Sequence, residues 1–461
     1  MELDKSLLSE VLARALRTGA DFSELYFEDT VSQNIALSDG CIETAVSARS
    51  RGVGLRILKD TRCVYAYGND LSRNGLMALA DSVCAALSGQ GNIPDIVLHP
   101  TYIERIHPIV IPCGKGDIAF KADCLRAAEA AARGYSSEIS QVNSGISDIF
   151  KRVTIANSEG LFVEDERAYC RFNVAAVASS GNENQSSSQS PGAHAGSEFL
   201  RTLDFALLGT EAAKSAVTML HAPLCPAGVM PVVMDNGFGG VIFHEACGHS
   251  LEATSVAKGN SVFCGKMGQA IGSSKVTAYD DGTIPGEWGS LNVNDEGERT
   301  QRITLVKDGI LNSYMIDKLG ARRMGMPQTG SGRRESYRFA PTSRMTNTYI
   351  AAGQDSNADI IASVDDGLYA AKMGGGSVNP VTCEFNFAVL EGYLIKNGKI
   401  TTPVRGATLI GRGNEILFNI DMVGKDMTMA QGMCGSESGS IPTNVGQPMI
   451  RISSITVGGK S

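Results

Sequence analysis

Histidine is scarce in this chain, six in 461 residues, and tryptophan is scarcer, with Trp288 alone. No stretch approaches about 18 consecutive apolar residues, so a membrane-spanning helix is excluded. The opening residues, MELDKSLLSEVLARAL, lack the basic segment and unbroken apolar run of an export signal. A basic surplus is absent as well: net charge is −8, pI is near 5.4 and no run of Lys or Arg stands out. That balance argues against a nucleic-acid partner, whose phosphates call for a basic surface. Cysteine is present eleven times, an odd number with no C-x-x-C, which excludes a dithiol redox motif and does not suit a disulfide scaffold. The plain expectation is a cytoplasmic protein.

A chain of this length exceeds what one hydrophobic core organises, so at least two domains are expected. Leu3–Leu16 has helical spacing and stops at Gly19. From Phe22 the pattern turns to strands: Phe22–Phe27, Val31–Leu37, Thr44–Ala48, Gly52–Lys59 and Arg62–Tyr67, with turns at Asp39-Gly40 and Lys59-Asp60. Leu71–Leu87 returns to helix. Helix, antiparallel meander, helix is α+β, without the alternation of a doubly wound sheet. After a Pro- and Gly-bearing connector, Gly89–Gly116, a helix over Ile118–Arg133 and strands over Glu138–Val142, Ile149–Asn157, Leu161–Arg167 and Arg171–Ala178 repeat the order, which suggests an internally duplicated helix-meander unit. Ser179–Ser197 is polar and of low complexity, and reads as a hairpin tip or flap with a solvated His194. The expected division is an N-terminal α+β domain over 1–200 and a β-rich domain over 201–461 carrying the chemistry.

Two of the six histidines fall in one stretch, Val241–Glu252 (VIFHEACGHSLE), beside two carboxylates. Imidazoles with sulfur or carboxylate make zinc sites, and metal-assisted hydrolysis also needs a carboxylate close by to accept a proton. His244-Glu245 supplies a ligand and a base in two residues. The spacing departs from H-E-x-x-H, whose histidines share a helical face. Five residues turn a regular helix by about 140° and advance it about 7.5 Å, so the rings of His244 and His249 diverge. They meet at one ion only if the helix widens or loosens near Gly248; otherwise one histidine faces the core and the other solvent.

HEACGHSLE, with the glycine-bearing Ala257–Gly268 after it, resembles the signature of the TldD side of the TldD/PmbA metallopeptidase family. DDGTIPGEWGS (Asp280–Ser290), GRRESY (Gly332–Tyr337), RMTNTYI (Arg344–Ile350), RGATLIG (Arg405–Gly411), MVGKD (Met422–Asp426) and GMCG (Gly432–Gly435) continue the resemblance in order through the C-terminal half. It implies a zinc peptidase with His244, His249 and Cys434 as ligands, Glu245 as general base, and unfolded or short peptides as substrates. It also implies a two-subunit assembly, a homodimer or a heterodimer with a PmbA-like sister subunit, in which this chain is catalytic. One departure follows the cysteine: Gly435-Ser436-Glu437-Ser438-Gly439 stands where the pattern has a basic residue, so a cation near the thiolate is missing.

Around that set, Glu252 follows His249 by three and is expected to accept from its second ring nitrogen rather than to bind metal. Cys247 and Cys264 rival Cys434 as the sulfur. Gly325–Arg338 concentrates glycine and arginine in an acidic chain. Arg333, Arg334 and Tyr337 are therefore expected to bind substrate, gripping a peptide carboxylate or a developing oxyanion; the bland alternative is a loop paired with acids. Other functions left open are a metal-free pseudo-peptidase serving as regulatory or scaffold subunit, and thiol redox chemistry at Cys247 or Cys264.

Overall fold

Asp39 and Gly40 both take positive φ, 46° and 81°, as a two-residue hairpin turn demands. On either side the strands run longer than their local patterns suggest. In the computed structural model, which describes residues 3–379 and 382–459, β1 (Phe22–Ser38) and β2 (Cys41–Lys59) are continuous over 17 and 19 residues, where the sequence pattern breaks each in two. The reason is a change of environment along each strand. Phe22–Asp29 is buried on both faces, while Cys41–Arg51 is exposed on both, so neither stretch shows the alternation of a half-buried strand.

The first unit is α1 (Lys5–Ala15), β1, β2, β3 (Arg62–Gly68) and α2 (Arg73–Ala85). The second is α3 (Ile118–Tyr135), β4 (Ile139–Asn157), β5 (Leu161–Ser180), β6 (Glu183–Gln189) and α4 (Phe205–His221). The two units join β1 to β4 in one antiparallel sheet of order β3-β2-β1-β4-β5-β6, so the helix–three-strand–helix order is laid out twice about the central pair. Helices α1 and α2 pack on the first half of the sheet, α3 and α4 on the second. Helix α4 lies beyond residue 200 and shares its apolar cluster with α3 and the sheet.

His194 is not solvated. It is fully buried, its ring stacked on His107 and Tyr169 at centroid distances of 4.3 and 4.8 Å. Its Nδ1 lies 2.8 Å from the Ser290 carbonyl. The polar composition of 179–197 hides this because β6 completes a hairpin with β5 on the sheet while the following residues run beneath the C-terminal half.

That half begins with β7 (Gly228–Met234), then α5 (Val241–Ala246), β8 (Ala278–Asp281), β9 (Arg302–Lys307), β10 (Ile310–Leu311), β11 (Asn347–Ile350), β12 (Asp366–Val378), β13 (Glu384–Lys396), β14 (Lys399–Val404), β15 (Thr408–Arg412), β16 (Thr428–Ser436), β17 (Gly439–Gln447) and β18 (Ile450–Gly458). Strands β12-β7-β18-β15-β13 form a sheet that closes on itself because β13 also pairs β12. A second sheet has the order β10-β9-β8-β11-β17-β16 and leaves β16 at its edge. One apolar core fills the space between the sheets, and Ile242, Phe243, Ala246 and Leu251 bury α5 and the turn after it within that core. The architecture is α+β, as expected.

The halves are joined by buried charge. Arg56 bridges Glu24 and Glu296 at 2.7 Å each, and Arg167 meets Asp295 at 2.6 Å. Arg334 lies 2.6 Å from Glu24. All of these groups are almost wholly removed from water, which ties the C-terminal loops to the sheet in one register.

Candidate metal centre

Gly240 and Gly248 let α5 sink to the depth the site needs. A Cβ at Gly240 would lie 2.5 Å from the backbone of Gly446, and one at Gly248 would lie 2.3 Å from Met345 Sδ. The helix then breaks. Cys247 leaves helical geometry at φ −129°, ψ −43°, and a 3-10 turn, Gly248–Leu251, carries the chain onward. This loosening cancels the divergence a regular helix would impose: the rings of His244 and His249 come to 5.0 Å between centroids, nearly perpendicular at 86°. The ligands therefore sit on a broken helix and a distant strand, not on one regular metal-binding helix.

The third donor arrives on β16. Cys434 Sγ stands 3.3 Å from His249 Nε2, and ligand atoms of His244, His249 and Cys434 all lie within 4.8 Å of one another. The rival sulfurs are elsewhere: Cys247 points to the Gly413 carbonyl at 3.7 Å, and Cys264 to that of Val256 at 3.5 Å. Two imidazoles and a thiol so close suit a tetrahedral divalent ion, whose bonds of about 2.0–2.3 Å put its ligand atoms about 3.5 Å apart.

Electrostatics agree with that donor chemistry. Burial by itself would push the Cys434 thiol up, but the facing rings of His244 and His249 outweigh it and hold the thiol at about 3, so the sulfur is a thiolate. Burial would lower His249, yet Glu252 and Cys434 raise it well above the ordinary range. The proton held between thiolate and imidazole is one that metal binding displaces.

Glu245 reaches to 3.7 Å from His249 Nε2 and lines a cleft of about 530 Å³ together with His249, Glu252 and Cys434. Glu252 Oε2 lies 3.3 Å from His249 Nδ1, on the far side of the ring from the sulfur. Its other oxygen faces Arg344 Nε at 3.9 Å. Arg344 is the residue the sequence reading missed. It is fully buried, donates to the Cys434 carbonyl and also reaches Ser438 Oγ and the Gly439 carbonyl at 3.0 Å. A cation from another segment thus meets the backbone of Cys434, while Glu437 turns outward to Lys258 at 3.4 Å. Arg344 opens the RMTNTYI segment of the resemblance, and nothing local assigns it a place beside the cysteine.

Arg333, Arg334 and Tyr337 do not line this cleft. Arg334 is held by Glu24 and by the Asp295 carbonyl, 2.7 Å away, with its guanidinium over the Tyr26 ring. Arg333 donates to the Met345 carbonyl at 2.6 Å and is fully enclosed. Tyr337 packs its ring against the backbone at Gly52, where any Cβ would collide with it. Arg334 and Tyr337 thus meet the N-terminal sheet, while Arg333 is held within the C-terminal half by the Met345 carbonyl. The glycines and arginines serve close backbone approach and buried acids, a use that composition alone does not distinguish from ligand binding.

With the donors in place, comparison with known proteins decides the family. Three family models match in order: PmbA/TldA metallopeptidase domain 1 over residues 23–87, the central domain over 113–220 and the C-terminal domain over 227–459. The chain belongs to the PmbA/TldD metallopeptidase family. A metalloprotease TldD homolog from Haemophilus influenzae is 37% identical over 95% of this chain and 93% of its own length. A metalloprotease from Methanothermobacter thermautotrophicus is 30% identical over the whole of both chains. Among solved structures, TldE from Thermococcus kodakarensis superposes with a TM-score of 0.77 at 18% identity, covering 98% of this chain and 100% of that one, a likeness of fold. The His244, His249 and Cys434 cluster has the composition of a zinc-binding catalytic site of PmbA/TldD peptidases, and the chain is a metallopeptidase.

Proposed function

We propose that the chain is a zinc-dependent peptidase acting on unfolded or short peptides, with His244, His249 and Cys434 as the zinc ligands and Glu245 as the general base. The observation that carries this reading is the placement of Glu245, at the wall of the cleft and 3.7 Å from a ligand nitrogen. Zinc in such a site supplies an electrophile that polarises a carbonyl and acidifies water. The protein's part is proton transfer and orientation. Glu245 takes the proton of the attacking water and returns it to the leaving amine. Glu252 holds the His249 ring by its Nδ1, and Arg344 holds both Glu252 and the backbone of Cys434.

Strand β12 supports an extended substrate. Its neighbour β7 pairs only Leu368–Ala370, so from Ala371 to Val378 the strand has β13 on one side alone among the described residues. Ser377 and Val378 on that free edge line the cleft. A peptide adding to such an edge gains backbone hydrogen bonds with little sequence demand, and a cleft of this size admits an extended segment rather than a folded domain.

A second subunit, this chain or a PmbA-like sister, fits the exposed arm Cys41–Arg51. β3 begins pairing β2 only at Val53, so the arm's outer edge is open and carries Ile42 and Val46 in water, a liability that natural sheets cover. Sedimentation of the pure chain, alone and with a sister, tests this; a monomer in both removes the assembly. We place the protein in the cytoplasm on its eleven free thiols.

The activity is tested with zinc-loaded protein and one peptide sequence presented two ways, free and as part of a stable folded domain. Cleavage of the free form only, abolished by chelation, is expected. Equal cleavage of both, or cleavage surviving complete metal removal, overturns the reading.

A further inference from the structure

A second cavity, of about 400 Å³, lies between the halves of the molecule. It shares two strands with the metal cleft. On β12, Met373 and Gly374 line the second cavity, and Ser377 and Val378 line the first. On β16, Ala430 and Gln431 line the second, and Met433 and Cys434 the first. Both strands therefore run from one cavity to the other in the same direction. At about 3.3 Å per residue, the step from Gln431 to Cys434 spans about 10 Å, the reach of three residues of extended peptide.

Arg171 lines the second cavity, half-buried, its guanidinium 5.7 Å from the Trp288 ring. No acidic group is paired with it among the described residues, and burial alone acts on its charge. Lys372 stands in the same cavity and donates to Ser187 Oγ at 3.1 Å and to the Ser188 carbonyl at 2.5 Å. Leu208, Phe238 and Leu390 supply apolar wall. In a chain with net charge −8, a half-buried guanidinium without a paired carboxylate, beside Lys372, whose charge also feels Glu391 and Glu211, and an apolar wall, suits an anion carried on an apolar body.

We propose that this cavity is a carboxylate-binding subsite. Arg171, supported by Lys372, receives the free C-terminal carboxylate of a peptide lying in the trough between β12 and β16, and the bond at the metal cleft is cut about three residues before that terminus. The inference rests on the peptidase reading for the position of the cut, but the subsite itself is a matter of binding. A planar guanidinium holding a carboxylate makes a charge-assisted, two-pronged contact that an amide does not reproduce.

The test uses three zinc-loaded proteins, the parent, R171Q and R171K, and two peptides differing only in a free or amidated C-terminus. The parent is expected to favour the acid by about tenfold or more in kcat/KM, with a tripeptide as the main C-terminal product by mass spectrometry. In R171Q the preference falls to about one. R171K, which keeps the charge without the planar fork, retains part of it. Calorimetry with an apolar tripeptide, acid against amide, reads the subsite without turnover, so a failure of hydrolysis alone counts against the peptidase reading and leaves the subsite to be decided by binding. Equal affinity for acid and amide in the parent, or an undiminished preference in a folded R171Q, overturns the proposal.

Discussion

His249 Nε2 and Cys434 Sγ lie 3.3 Å apart although 185 residues separate them in the chain. The contact joins the broken helix of the first motif to the edge strand of the second sheet, so the metal centre exists only when the C-terminal half is folded. Replacing Cys434 by Ser is expected to weaken zinc binding by more than the ~10–100-fold that loss of an outer partner costs. Cys247→Ser and Cys264→Ser should leave affinity near that of the parent. Competition titration with a chromogenic chelator measures all three, and equal losses would mean that another sulfur binds the metal.

Glu245 touches the cleft without belonging to the three-donor cluster. Glu245→Gln should keep one zinc per chain and lose roughly 10²–10⁴-fold in kcat, the range for a positioned general base. Elemental analysis beside steady-state kinetics gives both numbers from one preparation. Full turnover in the zinc-replete variant would remove the proton-transfer role.

Glu252 is expected to act through His249. Glu252→Gln keeps a side chain of the same shape but removes the charge facing His249 Nδ1 and Arg344, and should lower zinc affinity by about 10–100-fold. An unchanged affinity would make the carboxylate a structural anchor of Arg344 only.

Arg334 tests the docking role. Its removal leaves Glu24 with Arg56 as its remaining partner in a dry interface, so Arg334→Ala should cost about 3–5 kcal/mol of stability. Zinc stoichiometry in the folded fraction should not change. Denaturant unfolding measures the first and metal analysis the second; normal stability with a raised KM would restore a substrate contact.

Asp317 caps a short helix by accepting from the Gly320 amide at 3.0 Å, and is buried beside Glu296. Burial, then the charge of Glu296, push it up to about 7 from 3.8. A group protonated in the folded chain and ionised in the unfolded one binds more protons when folded, so its contribution to stability falls as pH rises from about 4 to 7. Asp317→Asn keeps the cap and removes the charge. Its melting temperature relative to the parent should therefore rise with pH across that window; a difference independent of pH would contradict the assignment.

What could be read from the sequence divides along physical lines. Turns were legible because their chemistry is local. Asp39-Gly40 takes the positive φ values its hairpin needs. The His244, His249 and Cys434 cluster was legible, the histidines from their spacing in one motif and the cysteine from the resemblance. The break at Cys247 was legible only as a condition, loosening near Gly248, because spacing alone does not decide between a regular and a broken helix. Long strands were cut in two where both faces were buried or both exposed. The solvated reading of His194 failed because its partners, His107, Tyr169 and the Ser290 carbonyl, come from distant segments that no local pattern records.

The central claim is that these three side chains hold the metal on which peptide hydrolysis depends. Stripping the protein of metal and titrating zinc back while following cleavage of an unstructured peptide tests it most directly. Activity should return in proportion to zinc bound, saturate at one ion per chain, and fail to return in Cys434→Ser at the same zinc concentration. Hydrolysis by the metal-free chain, or a fully zinc-loaded parent that cleaves nothing, would contradict the account.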